Sequence, residues 1–179
     1  MFAWRHTFLL LGMMKNAPTS EEMKLAALKW LRFGRQCFAV ATEFGNFSAD
    51  VIGLNAKSLY EIEVKRSKSD FLADFKKGKH RLYGSSLMSH CPNYLYFLVP
   101  LEMVDWAVLK MREIEAPYGV MAYGKYPAIS VARRCKRMKT TNRGQVEIDI
   151  MLRMGSDYLN IYDRWLDDRK DLDRLRVER

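Results

Sequence analysis

The strongest constraint on how this chain folds lies between residues 37 and 65, where three short alternating runs follow one another with only tight turns between them. "CFAVATEF" ends at Gly45-Asn46, "FSADVIGL" ends at "NAKS", and "LYEIEVK" closes the set. Alternation with period two marks strands with one buried face, and turns this short permit only antiparallel neighbours. The expectation is a three-stranded meander whose last strand carries Glu61, Glu63 and Lys65 on one face.

Helical signals surround the meander. Thr19 stands three residues before Glu22, a capping-box spacing, and Met23, Ala26, Ala27, Trp30 and Leu31 then share one helical face that Gly34 closes. After the third strand, Ser67 or Ser69 caps a helix that begins near Asp70, with Phe71, Phe75, Gly78 and Leu82 at helical spacing. "YLYFLV" is apolar on both faces, as a central strand would be, and Pro100 stops it. A helix over "LEMVDWAVLKMREI" and two short strands, "YGVMAY" and "AISVA", follow; from Asn142 onward the pattern is mostly helical with an interruption near Gly155. The order predicts an α/β fold, helices packed on a mixed sheet.

Register turns the charged face of the third strand into a chemical question. If "NAKS" turns with two or four residues, Asp50 lies directly opposite Glu63, and directly opposed residues share a face with Cβ atoms roughly 4.5 to 5.5 Å apart. A three-residue turn would put Asp50 on the other face. The same arithmetic about Gly45-Asn46 pairs Glu43 with Ser48 and makes Glu43 the diagonal neighbour of Asp50. Lys65, two residues beyond Glu63, points the same way. Carboxylates this close repel one another unless a cation sits among them, and oxygen-only ligands favour Mg²⁺ or Mn²⁺. The plainer reading is a solvated strand face with cross-strand ion pairs.

Asp50 followed by Glu63-Val64-Lys65 on the middle hairpin of an α-β-β-β-α-β order resembles the PD-(D/E)XK nuclease superfamily. Within it, "EVKRSKSDFLADFKK" is similar to the MmcB-like DNA repair proteins, through Glu63, Lys65, Ser67, Asp70, Phe71, Asp74 and Lys76. Ala49 stands where the superfamily's name has proline. The resemblance implies a restriction-endonuclease-like core over residues 19–141, after an N-terminal extension (1–18) and before a helical C-terminal extension (142–179). It implies a Mg²⁺- or Mn²⁺-dependent deoxyribonuclease serving DNA repair, recombination or phage DNA processing, in the cytoplasm of a bacterial or phage-infected cell. Asp50 and Glu63 would hold the metal with the Val64 carbonyl and with Glu43, directly or through water. Lys65 would position or help to deprotonate the attacking water and stabilise charge on the phosphate. A DNA-binding module of the same fold without turnover, or a protein-interaction factor, are the rival readings.

The remaining signals concern partners. Thirty Lys and Arg against 21 Asp and Glu give a formal +9, which suits a polyanion such as DNA. "ARRCKRMKTTNR" concentrates Arg133, Arg134, Lys136, Arg137, Lys139 and Arg143 without an acid, and is expected to contact phosphates beside the catalytic face. Lys76, Lys79, His80 and Tyr83 form a helical stripe that could do the same. Ser67 and Asp70 support the site from behind, Ser67 chiefly as a helix cap. Asp70, Asp74, Lys77 and Arg81 read as an ion-pair ladder on one helix, Glu61 as a peripheral salt bridge, and His80 and His90 as non-catalytic. Three scattered cysteines fit a reduced protein without structural zinc. Phe8 to Met14 is too short for a membrane span. Tyr158, Ile161, Tyr162 and Trp165, spaced along the last helix, offer a surface for a second copy or another protein.

Overall fold

A computed structural model describes residues 17–45, 49–83, 91–124, 128–139 and 143–177. Helix α1 (Ser20–Lys29) opens with the expected capping box, Thr19 accepting from the Glu22 N–H while Glu22 accepts from Thr19. It runs on through a wider turn, Trp30–Gly34. Strands β1 (Ala39–Phe44), β2 (Ala49–Leu54) and β3 (Leu59–Val64) form the antiparallel meander, and β4 (Tyr94–Pro100) lies parallel to β3. Helix α4 (Val104–Glu113) crosses to β5 (Gly119–Tyr123), parallel to β4, and β6 (Ile129–Arg133) closes the edge antiparallel to β5. The sheet is six-stranded, mixed and ordered β1-β2-β3-β4-β5-β6.

Helices cover both faces. On one, Met23 and Ala27 of α1 and Leu31 of the turn that follows pack on Val51, Ile62, Val64 and Leu98. On the other, Phe71 meets Phe97, Val99, Ala107 and Met111, while Val146 and Ile150 of the last helix seal Ile52, Leu54 and Leu59. Gly119 is required where it stands, because a Cβ there would lie 2.3 Å from the Tyr96 ring.

Three departures from the sequence reading matter. The helix predicted from Asp70 to Leu82 is two pieces, α2 (Lys68–Asp74) and α3 (Lys79–Leu82), with the chain turning at 75–78 before Lys79. That turn swings Lys79 from the outer stripe into the interior. The C-terminal helix α5 (Arg143–Val177) runs 35 residues without interruption at Gly155, since a single glycine costs only about 1 kcal/mol in a helix this long. Finally, the β1/β2 register pairs Thr42 with Val51 and Phe44 with Ala49, two residues away from the predicted pairing of Glu43 with Ser48. Ser48, His90 and the tip of that turn lie outside the described residues, as do residues 1–16 and the side chain of Arg143.

Candidate functional site: a buried charge cluster at the end of β3

The β2/β3 register is the one expected of a turn with an even residue count: Val51 faces Ile62 and Ile52 faces Glu61, which sets Asp50 opposite Glu63. Asp50 Oδ2 accepts the Val64 N–H at 2.7 Å, so its carboxylate caps the end of the hairpin beside Glu63. Lys65 Nζ lies 2.7 Å from Glu63 Oε2 and 3.9 Å from Asp50 Oδ2. The three residues predicted as catalytic therefore do converge.

The face that carries them is not wet. Every residue of β3 is buried, and Glu61 and Glu63 are 1% and 0% exposed. Their charges are met by Lys65 just past β3, by Lys77 in the turn between α2 and α3, and by Lys79 of α3. Lys79, itself 0% exposed, ion-pairs with Glu61 Oε1 at 2.8 Å and with Glu63 Oε1. Asp74 Oδ1 receives Lys65 at 2.9 Å and Lys77 at 2.6 Å, and Asp74 Oδ2 pairs with His80 Nε2 at 2.8 Å. The Tyr118 hydroxyl lies 3.0 Å from the other His80 nitrogen, and the Tyr83 hydroxyl donates to Glu61 at 2.8 Å. Aromatic rings of Phe75, Phe97 and Tyr118 stack around His80 and keep the polar groups away from water.

Burial raises two carboxyls of the cluster, those of Glu61 and Asp50. Setting His80 aside, four carboxylates (Asp50, Glu61, Glu63, Asp74) share three ammonium groups (Lys65, Lys77, Lys79), so one negative charge is uncompensated. Burial first and the Glu63 charge second push the Asp50 carboxyl up to about 6. Burial opposes the charge on Lys65, but Glu63 and then Asp74 outweigh it and hold the ammonium well above its usual range. Lys65 is thus held as a positive charge between Glu63 and Asp74. For Asp74, burial is overcome by the hydrogen bond from His80 and then by Lys77, and its carboxyl falls well below the ordinary range.

Other predicted site residues are placed elsewhere. Glu43 adopts φ 48°, and its exposed carboxylate ion-pairs with Lys24 of α1 rather than joining Glu63. Lys79 cannot contact DNA phosphates from the core, and its earlier partner on the stripe, Lys76, is exposed. Ser67 caps α2 by accepting the Asp70 N–H at 3.1 Å, and both residues are exposed. Glu61 is central rather than peripheral, and His80 is locked between Asp74 and Tyr118. The "ladder" residues Asp74 and Lys77 belong to the site because α2 ends at Asp74.

The basic run does not flank Asp50. Lys136 N–H bonds to Pro117 O, Met138 N–H to Asn93 O, and Arg137 to Lys57 O. The strip thus crosses the starts of β5, β4 and β3, whereas Glu63 and Lys65 stand at the far end of β3. Arg133 is spent on the Ala116 and Tyr118 carbonyls; Arg134, Lys136, Arg137 and Lys139 remain exposed.

Whether the donors suit a divalent cation turns on Asp50 and Glu63. Asp50 supplies a partly exposed carboxylate whose Oδ1 has no partner among the described residues, in a cluster short of one positive charge. Both Glu63 oxygens face ammonium groups, so a cation would share them with Lys65 and Lys79. Among the described residues no three His, Cys, Asp or Glu side chains converge as a ready-made metal-binding group. Two carboxylates and the neighbouring Val64 carbonyl still make the hard oxygen set that Mg²⁺ or Mn²⁺ prefers.

No helix among the described residues is long and apolar enough to cross a membrane. No family model matches the chain, and no curated protein does. The chain is similar to a solved structure of a protein of unknown function from Silicibacter pomeroyi, at 16% identity and a TM-score of 0.53, covering 82% of this chain and 89% of that one. That likeness speaks for a shared fold: helices on a mixed sheet.

Proposed function

We propose that the chain is a metal-dependent deoxyribonuclease built on a restriction-endonuclease-like core, acting in DNA repair, recombination or phage DNA processing. The observation that carries the reading is the opposition of Asp50 and Glu63 with Lys65 beside both. Asp50, Glu63 and the Val64 carbonyl would hold Mg²⁺ or Mn²⁺. When bound, such an ion supplies an acidified water and charge compensation at the phosphate. Lys65, kept protonated and oriented by Asp74, contributes a fixed charge against the developing negative charge on phosphorus. Asp74 is thereby a positioning residue. The exposed Lys76 and Lys77, on the turn beside the cluster, offer the nearest cations for the DNA backbone.

Incubation of purified protein with linear, supercoiled, single-stranded and branched DNA in Mn²⁺ tests it. Cleavage is expected, and Asp50→Asn, which keeps an acceptor for the Val64 N–H, is expected to lower it at least 100-fold, the scale at which single catalytic groups act. Cleavage of nothing, or equal cleavage by Asp50→Asn, overturns the reading.

A second reading, a DNA-binding module without turnover, is favoured by the commitment of both Glu63 oxygens to lysines. Calorimetric titration with Mn²⁺ separates the two. Binding that disappears in Asp50→Asn supports the nuclease, and metal-independent DNA affinity without metal binding supports the module.

A further inference from the structure

Across the sheet from the charge cluster, and at the opposite end of β3, lies a cleft of about 500 Å³. Its walls are Tyr60 of β3, Tyr94 and Tyr96 of β4, Val131 and Arg134 at β6, Cys135, and Arg35 beyond the first helix. The Tyr60 and Tyr94 rings stack with centroids 5.1 Å apart, and Tyr94 is half-buried with a guanidinium, that of Arg137, 5.7 Å from its ring centre. Arg35 lies 4.3 Å from the ring centre of Trp30. No carboxylate lines the cleft, and neither Arg35 nor Arg134 has an ion-pair partner among the described residues. Arg137 adds a third guanidinium at the rim, held by Lys57 O and the Ser58 hydroxyl.

Arginine forks match phosphate oxygens, and an aromatic face that takes a guanidinium also takes a base. A volume of about 500 Å³ admits one nucleotide, and a base that stacks on a tyrosine must be unpaired and unstacked from a duplex. We infer that this cleft binds a nucleotide unit of single-stranded nucleic acid, Arg35 and Arg134 taking the phosphate and Tyr94 the base. The inference sharpens the nucleic-acid reading above and needs neither a metal nor the Asp50 cluster. A strand in this cleft would be held on the far side of the sheet from the carboxylates, as an accessory site rather than part of the cutting centre.

The test is fluorescence anisotropy of a labelled thymidine dodecamer in EDTA, where no cleavage can occur, with a duplex of the same length and thymidine monophosphate as further probes. The Arg35→Ala/Arg134→Ala variant is expected to weaken dodecamer binding about tenfold or more and to flatten its salt dependence by about 1.4 in slope, two contacts at about 0.7 each. Tyr94→Ala is expected to weaken it by a similar factor, as loss of one stacking platform does. The Arg35→Lys/Arg134→Lys variant keeps the charge but not the fork, and is expected to fall between. A Lys110→Ala/Lys170→Ala variant, which removes equal charge elsewhere, should bind as the parent does. If the arginine variants lose affinity for the monophosphate alone, the same phosphate-and-base chemistry is supported with a free nucleotide as its source. Unchanged affinity in the arginine variants for every probe, an equal loss in the lysine control, or an equal loss for the duplex overturns the inference. Because Asp50→Asn should leave this binding intact, failure here and failure of the nuclease reading are distinguishable.

Discussion

Asp50 is the partly exposed carboxylate of a cluster in which carboxylates outnumber ammonium groups. Its carboxyl is pushed up to about 6 from an ordinary value of 3.8, by burial and then by Glu63. A group with a raised folded-state pKa contributes its full share of stability below the unfolded value and loses it as pH rises through the folded one. The cost of ionising Asp50 in the metal-free protein is therefore absent near pH 3.5 and complete above about pH 7. The rise from 3.8 to about 6 sets a ceiling of about 3 kcal/mol, and partial solvent contact places the realised value nearer about 1 to 2 kcal/mol. Asp50→Asn removes the cost while keeping an acceptor for Val64 N–H. Urea unfolding in EDTA should find the variant more stable than the parent at pH 7.5, with the gap nearly closed by pH 3.5. With Mn²⁺ added, the parent alone should gain stability, because ligand binding stabilises only the state that binds. A parent more stable than the variant at pH 7.5 without metal would show that Asp50 is already compensated.

At the scale of elements, the cluster depends on how strands and helices bring lysines to β3, and the sheet packing behind it leaves little room for error. Gly119 shows the margin: the Cβ of an alanine there would meet Tyr96 ring atoms at 2.3 Å and the Arg133 carbonyl at 2.9 Å. Neither can retreat easily, since Tyr96 is packed against Trp30 and Arg133 is tied to the Ala116 and Tyr118 carbonyls. Gly119→Ala should therefore cost about 1 to 3 kcal/mol, the range of overpacked cores, read as a fall in the urea midpoint at unchanged slope. The same element scale decides what the sequence could reveal. The meander and the Asp50–Glu63 opposition were legible because strand alternation and turn length depend on neighbouring residues alone. Lys79 was not, because its inward turn depends on a break in the helix at 75–78 that helical periodicity alone does not signal. Asp74 was visible in the motif with Lys65 but was read as part of a surface ladder; only its burial against the lysine reveals its part. Tyr118 and the path of the basic run depend on where β5 and β6 dock, which no local pattern encodes.

For the whole molecule, α5 poses the sharpest question, since about 50 Å of helix at 1.5 Å per residue extends past a domain it touches mainly near its start. Val146 and Ile150 are sealed against Ile52, Leu54 and Leu59, while the Asp157 carboxylate accepts the Thr42 N–H and Arg153 donates to the Thr42 carbonyl. Those contacts cover one face of the β1/β2 hairpin, which carries Asp50. Beyond them Tyr158, Leu159, Ile161, Tyr162 and Trp165 are 47 to 66% exposed, an apolar stripe of the kind that meets a partner. The two halves should separate cleanly by truncation. Ending the chain after Asn160 removes a stretch whose described side chains, at 161–170, are mostly exposed, and should change stability by no more than about 1 kcal/mol. Ending it after Gln145 deletes the buried Val146 and Ile150, at about 1.5 to 3 kcal/mol each, lays bare Ile52, Leu54 and Leu59 beneath them, and strips the Thr42 N–H of its acceptor. Set against a total of roughly 5 to 15 kcal/mol for a domain, that loss should leave the shorter chain largely unfolded, which circular dichroism melting would detect. If both truncations melt alike, α5 is an appendage. If only the longer one folds, the first half of α5 is part of the domain, and Asp50 owes its position to it.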